Sequence, residues 1–151
     1  LYVNLRHIRQ LWKPVRQTML IAGLSATLLG SGLAWVFGAS EEMQRTLLTK
    51  SVTSPFAILL AAEVNGIPAL AAIFSILTGV IGAMFGPELL RKINVRHPAA
   101  IGMAMGLPSH AVGTARALQE GEQCAGFAAL SMSLMGVGTA VLLPLAVSLI
   151  A

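Results

Sequence analysis

The sequence predicts an all-α membrane protein, a multi-span helical bundle with two broken or re-entrant helices in an inverted repeat. Hydrophobic residues make up 56% of the 151 residues and charged residues only 11%, whereas soluble domains have about 25% charged residues. No Asp, Glu, Lys or Arg occurs in the stretches 17–40, 64–87, 97–115 and 123–151. A hydrocarbon core of ~30 Å is crossed by about 20 apolar residues in a helix. The chain is therefore predicted to lie in a lipid bilayer and to enter it several times.

The charges and the single cysteine exclude several classes of function. The net charge is +4, but the basic residues flank apolar stretches, in the clusters Arg6, Arg9, Lys13, Arg16 and Arg91, Lys92, Arg96. Clusters next to membrane spans mark the cytoplasmic side, so no nucleic-acid partner is expected. One cysteine, Cys124, allows no intrachain disulfide, and no group of metal ligands is apparent. We expect neither a metal nor a cofactor.

The first part of the chain predicts an interfacial approach, a span and a short polar helix. Residues 1–15 are basic and amphipathic, and the chain opens on Leu1 rather than Met, so further chain is expected before it. The first span covers 16–39. Small residues recur in it at every fourth position and predict a close helix contact, at Ala22, Ala26, Gly30, Ala34 and Gly38. Ser40 is a suitable N-cap for the polar helix that follows.

The segment 51–65 is the first broken helix. It is apolar for only about a dozen residues, too few to cross the bilayer as one helix. Pro55 lacks an N–H and disfavours helical geometry at the preceding residue, so a helix is expected to start or break there. A clear second span follows over 67–86.

The rest of the chain repeats this order. A short amphipathic helix is predicted over 87–97, a second broken segment over 98–119 with the spacing Gly102-x-x-x-Gly106 and Pro108, and a last span over 126–151. The whole chain, 1–151, is interpreted as one domain in three parts: span plus broken helix in 16–66, span plus broken helix in 67–125, and the last span.

Charge decides the topology. If 51–65 crossed the bilayer fully, the second basic cluster would lie outside; if it enters and returns, both clusters lie in the cytoplasm, as basic clusters prefer. The second broken segment then enters from the opposite side. A weak similarity between the halves at an offset of 60 residues, such as Gly66 over Gly126, supports an inverted repeat, although Ala- and Gly-rich sequences also align by chance. Such a repeat predicts a substrate site where the breaks meet.

The first candidate binding group is Ser51, Thr53 and Ser54, three hydroxyls immediately before the predicted helix start. Free N–H groups at a helix N-terminus bind anions. Capping of that helix by the hydroxyls is the simpler interpretation. Lys50 is either a snorkelling interfacial residue or an attractor of anions.

The second candidate group is Ser109, His110, Thr114 and Arg116. An embedded arginine normally faces protein or water, but Arg116 lies one turn from Glu120 and could simply snorkel. His110 either satisfies a backbone carbonyl or exchanges a proton near neutral pH. Enzymatic activity is not expected, because the sequence has no Asp and no acidic partner beside Ser109 and His110.

At these motifs the chain resembles the LrgB/CidB family of bacterial membrane proteins, which includes the LrgB-like part of plastid glycolate/glycerate translocators. The resemblance covers nearly the whole chain. Its residues are the runs Lys50-Ser-Val-Thr-Ser-Pro55, Asn65-Gly-Ile-Pro-Ala69, Thr78-Gly-Val-Ile-Gly-Ala83 and Ser109-His-Ala-Val-Gly-Thr-Ala-Arg116. Ser54 replaces an expected Thr, and Leu107-Pro108 replaces a pair of small residues.

The resemblance implies two functions in the bacterial cytoplasmic (inner) membrane. One is transport of small monocarboxylates of the pyruvate, glycolate or glycerate type, linked to control of autolysis. The carboxylate would lie between the helix ends at Ser51–Ser54 and Ser109–Thr114, with Arg116 as counter-charge and His110 as proton carrier. The other is an antiholin-like modulator of murein hydrolase activity or export that acts by oligomerisation in the membrane. Expected partners are the lipid bilayer, a small carboxylate anion, further copies of the chain and an LrgA/CidA-like holin.

Overall fold

The computed structural model describes residues 5–150, with side chains for 8–149, and every regular element in that range is helical. The Arg6 side chain, residues 1–4 and Ala151 lie outside the described residues. The helices are, in chain order, α1 (Leu5–Gln10), α2 (Trp12–Val36), α3 (Glu41–Leu48), α4 (Ser54–Glu63), α5 (Pro68–Lys92), α6 (Pro98–Ala117), a 3₁₀ turn (Leu118–Glu120) and α7 (Glu122–Ile150).

Within the described range three helices, α2, α5 and α7, are long and apolar enough to cross a membrane. They expose large aliphatic side chains along their length, which in water would be unfavourable and in lipid is not. Examples are Leu20, Ile21, Leu28, Ile76, Ile81, Leu142 and Leu145. The predicted all-α membrane fold is confirmed.

Helices α3 and α4 form a re-entrant hairpin, hairpin 1 (41–63), with its tip at 49–53. Ser40 accepts a hydrogen bond from the amide of Met43 at 3.3 Å and caps α3, as predicted. The chain that follows α4 returns to α3, because the amide of Ile67 donates to the Thr46 hydroxyl at 2.8 Å. The sequence predicted α3 as a separate polar helix, whereas it is the inward arm of the first broken segment.

Helix α6 and the 3₁₀ turn form a second hairpin, hairpin 2 (98–120), with its tip at His110. This residue has φ 40° and ψ −125°, outside helical geometry. A Cβ on Gly113 would lie 3.0 Å from the carbonyl carbon of Met105, although eight residues of continuous helix would separate the two by about 12 Å. The chain therefore reverses at His110, and the predicted break in this segment is confirmed.

The hairpins enter from opposite ends of the bundle. The starts of α2, α6 and α7 share one buried cluster that includes Val15, Ala99 and Phe127. At the other end, the close of hairpin 1 at Glu63 shares a pocket with Pro144 near the end of α7. With a rise of 1.5 Å per residue, the inward arms are about 12 Å for α3 and about 18 Å for 98–109. Each arm is shorter than the ~30 Å of a hydrocarbon core, so neither hairpin crosses it and the two tips approach each other from opposite ends.

Small residues set the closest helix contacts. A Cβ on Gly102 would lie 3.0 Å from that of Phe127, and one on Gly106 would overlap the Ala128 carbonyl. The predicted Gly-x-x-x-Gly spacing therefore packs α6 against α7. The small-residue pattern predicted for the first span holds at Gly30, which contacts hairpin 1, and is wrong at Gly38, which follows α2 with nothing within 4 Å of a built Cβ.

One predicted element is absent from the described chain. The separate amphipathic helix over 87–97 is wrong, because α5 continues through Pro87 to Lys92 and ends there. A proline costs a helix one hydrogen bond, and membrane helices tolerate this where neighbouring protein packs around it. Pro87 is buried, which fits that explanation.

The fold predicts the accessibility of two positions, Glu42 at the start of α3 and Lys92 at the end of α5. In a Cys124→Ala background, which removes the one native thiol, we expect Glu42→Cys to react in intact cells with a thiol reagent that does not cross membranes. Lys92→Cys should react only after the cells are opened, because its basic cluster favours the cytoplasm. Labelling of both cysteines in intact cells would contradict the two-hairpin topology.

Candidate functional site

The tip of hairpin 1 is an irregular turn between two short helices. Thr53 is extended, with φ −62° and ψ 148°, and Pro55 lies in the first turn of α4. Thr53 makes no side-chain cap hydrogen bond, so the predicted capping of this helix by the hydroxyl before it is wrong. The hydroxyls have other neighbours: Ser54 Oγ lies 3.5 Å from Ser75 Oγ, and Ser51 Oγ lies 3.3 Å from Lys50 Nζ.

Ser75, on α5, joins the two tips. Its hydroxyl donates to the carbonyl of Val52 in hairpin 1 at 2.6 Å. Its own carbonyl lies 2.8 Å from Nε2 of His110 at the tip of hairpin 2, and its Oγ lies 3.3 Å from the same nitrogen. Ser75 and His110 are both buried. A single serine therefore holds one backbone group from the first break and one side chain from the second.

These contacts fix the protonation pattern of the His110 ring. A backbone carbonyl only accepts hydrogen bonds, so Nε2 must hold the proton that is shared with Ser75. In the neutral ring Nδ1 is then an acceptor. Among the described residues Nδ1 has no hydrogen-bond partner although it is buried. Buried polar atoms are normally paired, so this nitrogen is available to a proton or to a ligand that donates one.

Glycines on α5 make room for the tip of hairpin 2. A Cβ on Gly79 would lie 2.7 Å from Cε1 of His110, and one on Gly82 would overlap the Ser109 hydroxyl and lie 3.0 Å from its Cβ. Ser109 is buried against this surface. Real Cβ atoms are not found at such separations, so alanine at either position would displace the tip.

Two other predicted residues lie on the outward arm of hairpin 2. Thr114 donates to the carbonyl of His110 at 2.8 Å and supports the tip. Arg116 lies near the base, where Nη1 is 2.9 Å from Oε1 of Glu120; the same oxygen is 3.5 Å from Nη2 of Arg91. Its charge is thus paired within the protein, and its role as a substrate ligand stays a prediction.

The structure brings Ser54 and His110 to Ser75, and Thr114 and Ser109 to the same tip, while Ser51 and Thr53 line the turn before α4. Ser75 was missed, and Gly79 and Gly82 were predicted only as parts of the run Thr78-Gly-Val-Ile-Gly-Ala83 that carries the family resemblance, not as residues of the site. A signal for the first two existed, because the buried residues of α5 recur at every fourth position: Ala71, Ser75, Gly79, Ala83 and Pro87. The described residues contain no group of three His, Cys, Asp or Glu side chains that could hold a metal ion.

Comparison with known proteins supports the resemblance seen in the motifs. The family model described as "LrgB-like family" matches residues 1–149. The chain belongs to this family. No solved structure matches it.

Several curated proteins are similar over most of the chain. An uncharacterized protein of Haemophilus influenzae is 36% identical over 150 residues, covering 99% of this chain and 65% of its own length. The uncharacterized protein YxaC of Bacillus subtilis is 32% identical over 124 residues, 82% of this chain and 54% of its own. An antiholin-like protein LrgB of Bacillus cereus is 26% identical over 145 residues, which cover 96% of this chain and 63% of its own length. The chain thus spans less than two thirds of the length of these relatives.

Proposed function

We propose that this chain forms the membrane core of a carrier for small monocarboxylates of the pyruvate, glycolate or glycerate type. The observation behind this proposal is the meeting of two re-entrant hairpins, from opposite ends of the bundle, at the buried Ser75. Broken helices that meet near the bilayer midplane are where inverted-repeat transporters bind substrate. A purely structural bundle gains little from two polar interruptions, which are costly in lipid.

The proposed site lies between the tips. The hydroxyls of hairpin 1 and the start of α4 offer hydrogen-bond donors and the positive end of a helix to an anion. On the other side, His110 Nδ1 offers an acceptor that can take up a proton. The full set of proposed ligands is the predicted one, with Arg116 as its most distant member: Ser51, Thr53, Ser54, Ser109, His110, Thr114 and Arg116.

The setting of this activity is also a proposal. We place the carrier in the bacterial cytoplasmic membrane, as a homo-oligomer together with an LrgA/CidA-like holin partner, where carboxylate flux would influence autolysis. The basic residues near the start of α2 and the end of α5, such as Lys13 and Lys92, are those that orient a chain with this end in the cytoplasm.

The second candidate is an antiholin-like modulator that changes murein hydrolase activity or export through oligomerisation, without transport. The name of the Bacillus cereus relative, antiholin-like protein LrgB, favours it. The two candidate functions require different parts of the molecule. Oligomerisation would use the lipid-facing surfaces of the spans, whereas transport requires an intact junction at Ser75.

Uptake by the purified full-length protein separates these functions. The protein is reconstituted into lipid vesicles, and initial rates of uptake of labelled pyruvate and glycolate are measured with and without excess unlabelled substrate. Saturable uptake that empty vesicles lack is the expected result. No saturable uptake of either acid, together with altered lysis of cells that express the protein, would favour the antiholin-like function and contradict the carrier.

A further inference from the structure

We infer that the Lys50 ammonium, presented with the Ser51 hydroxyl at the tip of hairpin 1, is the group that binds the carboxylate of the transported monoanion. This inference rests on the proposed carrier function. Lys50 lies in the turn that follows α3, and its amide donates to the carbonyl of Leu47 at 3.3 Å. The side chain therefore starts from the irregular tip, not from a helix end at the membrane surface.

The path of the Lys50 side chain is fixed by α2. A Cβ on Gly30 would lie 2.5 Å from Cε of Lys50 and 3.6 Å from its Nζ, so the glycine leaves the space that the lysine fills. Gly30 is six residues before Val36, the last residue of α2, which corresponds to about 9 Å of helix. A snorkelling lysine directs its ammonium to the headgroups, whereas this one turns to Ser51 within the bundle, 3.3 Å away.

Lys50 has no counter-charge in the part of the chain that the structure describes. No carboxylate oxygen lies within 4.0 Å of its ammonium, while Arg45, Arg91 and Arg116 are each paired with a glutamate. A half-buried cation that is surrounded by membrane helices costs free energy unless it faces water or an anion. The arrangement fits a residue whose partner arrives from outside.

The neighbour of the ammonium completes a site for one carboxylate. The buried Ser51 accepts a hydrogen bond from Lys50 through a lone pair, which leaves its hydroxyl proton for a second oxygen. One cation and one hydroxyl match the charge of a monocarboxylate. A dicarboxylate would bring a second negative charge that this pair does not neutralise, and moving it out of water would oppose binding. The pair thus selects single over double acids.

The test compares uptake of labelled pyruvate by variants of the full-length protein in vesicles. Lys50→Gln should raise the KM for pyruvate about 10- to 100-fold, which is the loss of affinity expected when a hydrogen bond to a charged group is removed. Lys50→Arg should recover part of this loss. The exposed Lys92 at the end of α5 offers a matched control, and Lys92→Gln should leave the KM unchanged. Excess succinate should compete poorly with pyruvate in the unchanged protein.

A second variant tests the inference without removing the charge. Gly30→Ala places a methyl group against the Lys50 stem, which can shift but then displaces the ammonium, so the KM should rise about severalfold with normal insertion into the membrane. Saturable uptake with an unchanged KM in Lys50→Gln would overturn the role of Lys50 and leave the carrier function standing. If Lys50→Gln fails to insert into the membrane, an unchanged KM in Gly30→Ala would have the same meaning. No saturable uptake by the unchanged protein would overturn both.

Discussion

Gly106→Val should destabilise the folded bundle by about 3 kcal/mol, at the upper end of the usual cost of overpacking. The glycine lies where α6 crosses α7, and a Cβ there would overlap the carbonyl oxygen of Ala128 and lie 2.7 Å from its carbon. A backbone carbonyl cannot rotate away as a side chain does. The helices must therefore separate, which also disturbs the buried Met105 and Cys124 beside the contact.

Thermal unfolding of the detergent-solubilised protein measures this effect, together with the amount of protein in the membrane fraction. Gly136→Val is the matched control, because Gly136 lies on α7 with nothing within 4 Å of a built Cβ. It should unfold close to the temperature of the unchanged protein. Equal loss of stability in both variants would mean that the valine acts through the helix itself and not through the contact of α6 with α7.

Replacement of His110 by asparagine should abolish accumulation of substrate against a gradient while exchange of external for internal substrate survives. Nε2 of His110 donates to the Ser75 carbonyl, and Nδ1 is buried without a partner in the described chain. An asparagine amide can still donate a hydrogen bond to Ser75, but it cannot take up a proton near neutral pH. Exchange needs no net movement of protons, whereas accumulation driven by a proton gradient does.

Accumulation and exchange are measured in the same vesicles, with an imposed pH gradient for the first and preloaded substrate for the second. His97→Asn is the control: Nδ1 of His97 accepts from the amide of Ala99 at 3.2 Å at the start of α6, a position that asparagine also caps well. It should accumulate substrate normally. If His110→Asn does so too, the residue is structural and does not carry the proton.

Much of the fold was predictable because lipid imposes simple rules on a sequence. Uncharged stretches located α2, α5 and α7, and the early Pro55 together with a short apolar run located the first break. The break at His110 lies two residues after Pro108, within the predicted second segment. In each case a backbone restriction or a missing length of apolar sequence gave the signal.

The contacts inside the bundle were harder to predict. A membrane helix is apolar on both its lipid and protein faces, so no polar face reveals which side of α5 packs inward. Ser75 was missed for this reason, although its spacing of four residues from Gly79 was visible. The predicted end of α5 was wrong, because Pro87 was taken as the boundary of the helix. The buried Pro87 instead lies inside it.

The junction at Ser75 makes the two halves of the fold unequal in chemistry although they are alike in architecture. Hairpin 1 contributes the carbonyl of Val52, which cannot change its charge, and hairpin 2 contributes the ring of His110, which can. Protonation would alter only one of the two bonds to the serine. In the proposed carrier, a change of pH would therefore act on the contact of hairpin 2 with Ser75 and leave the contact of hairpin 1 unchanged.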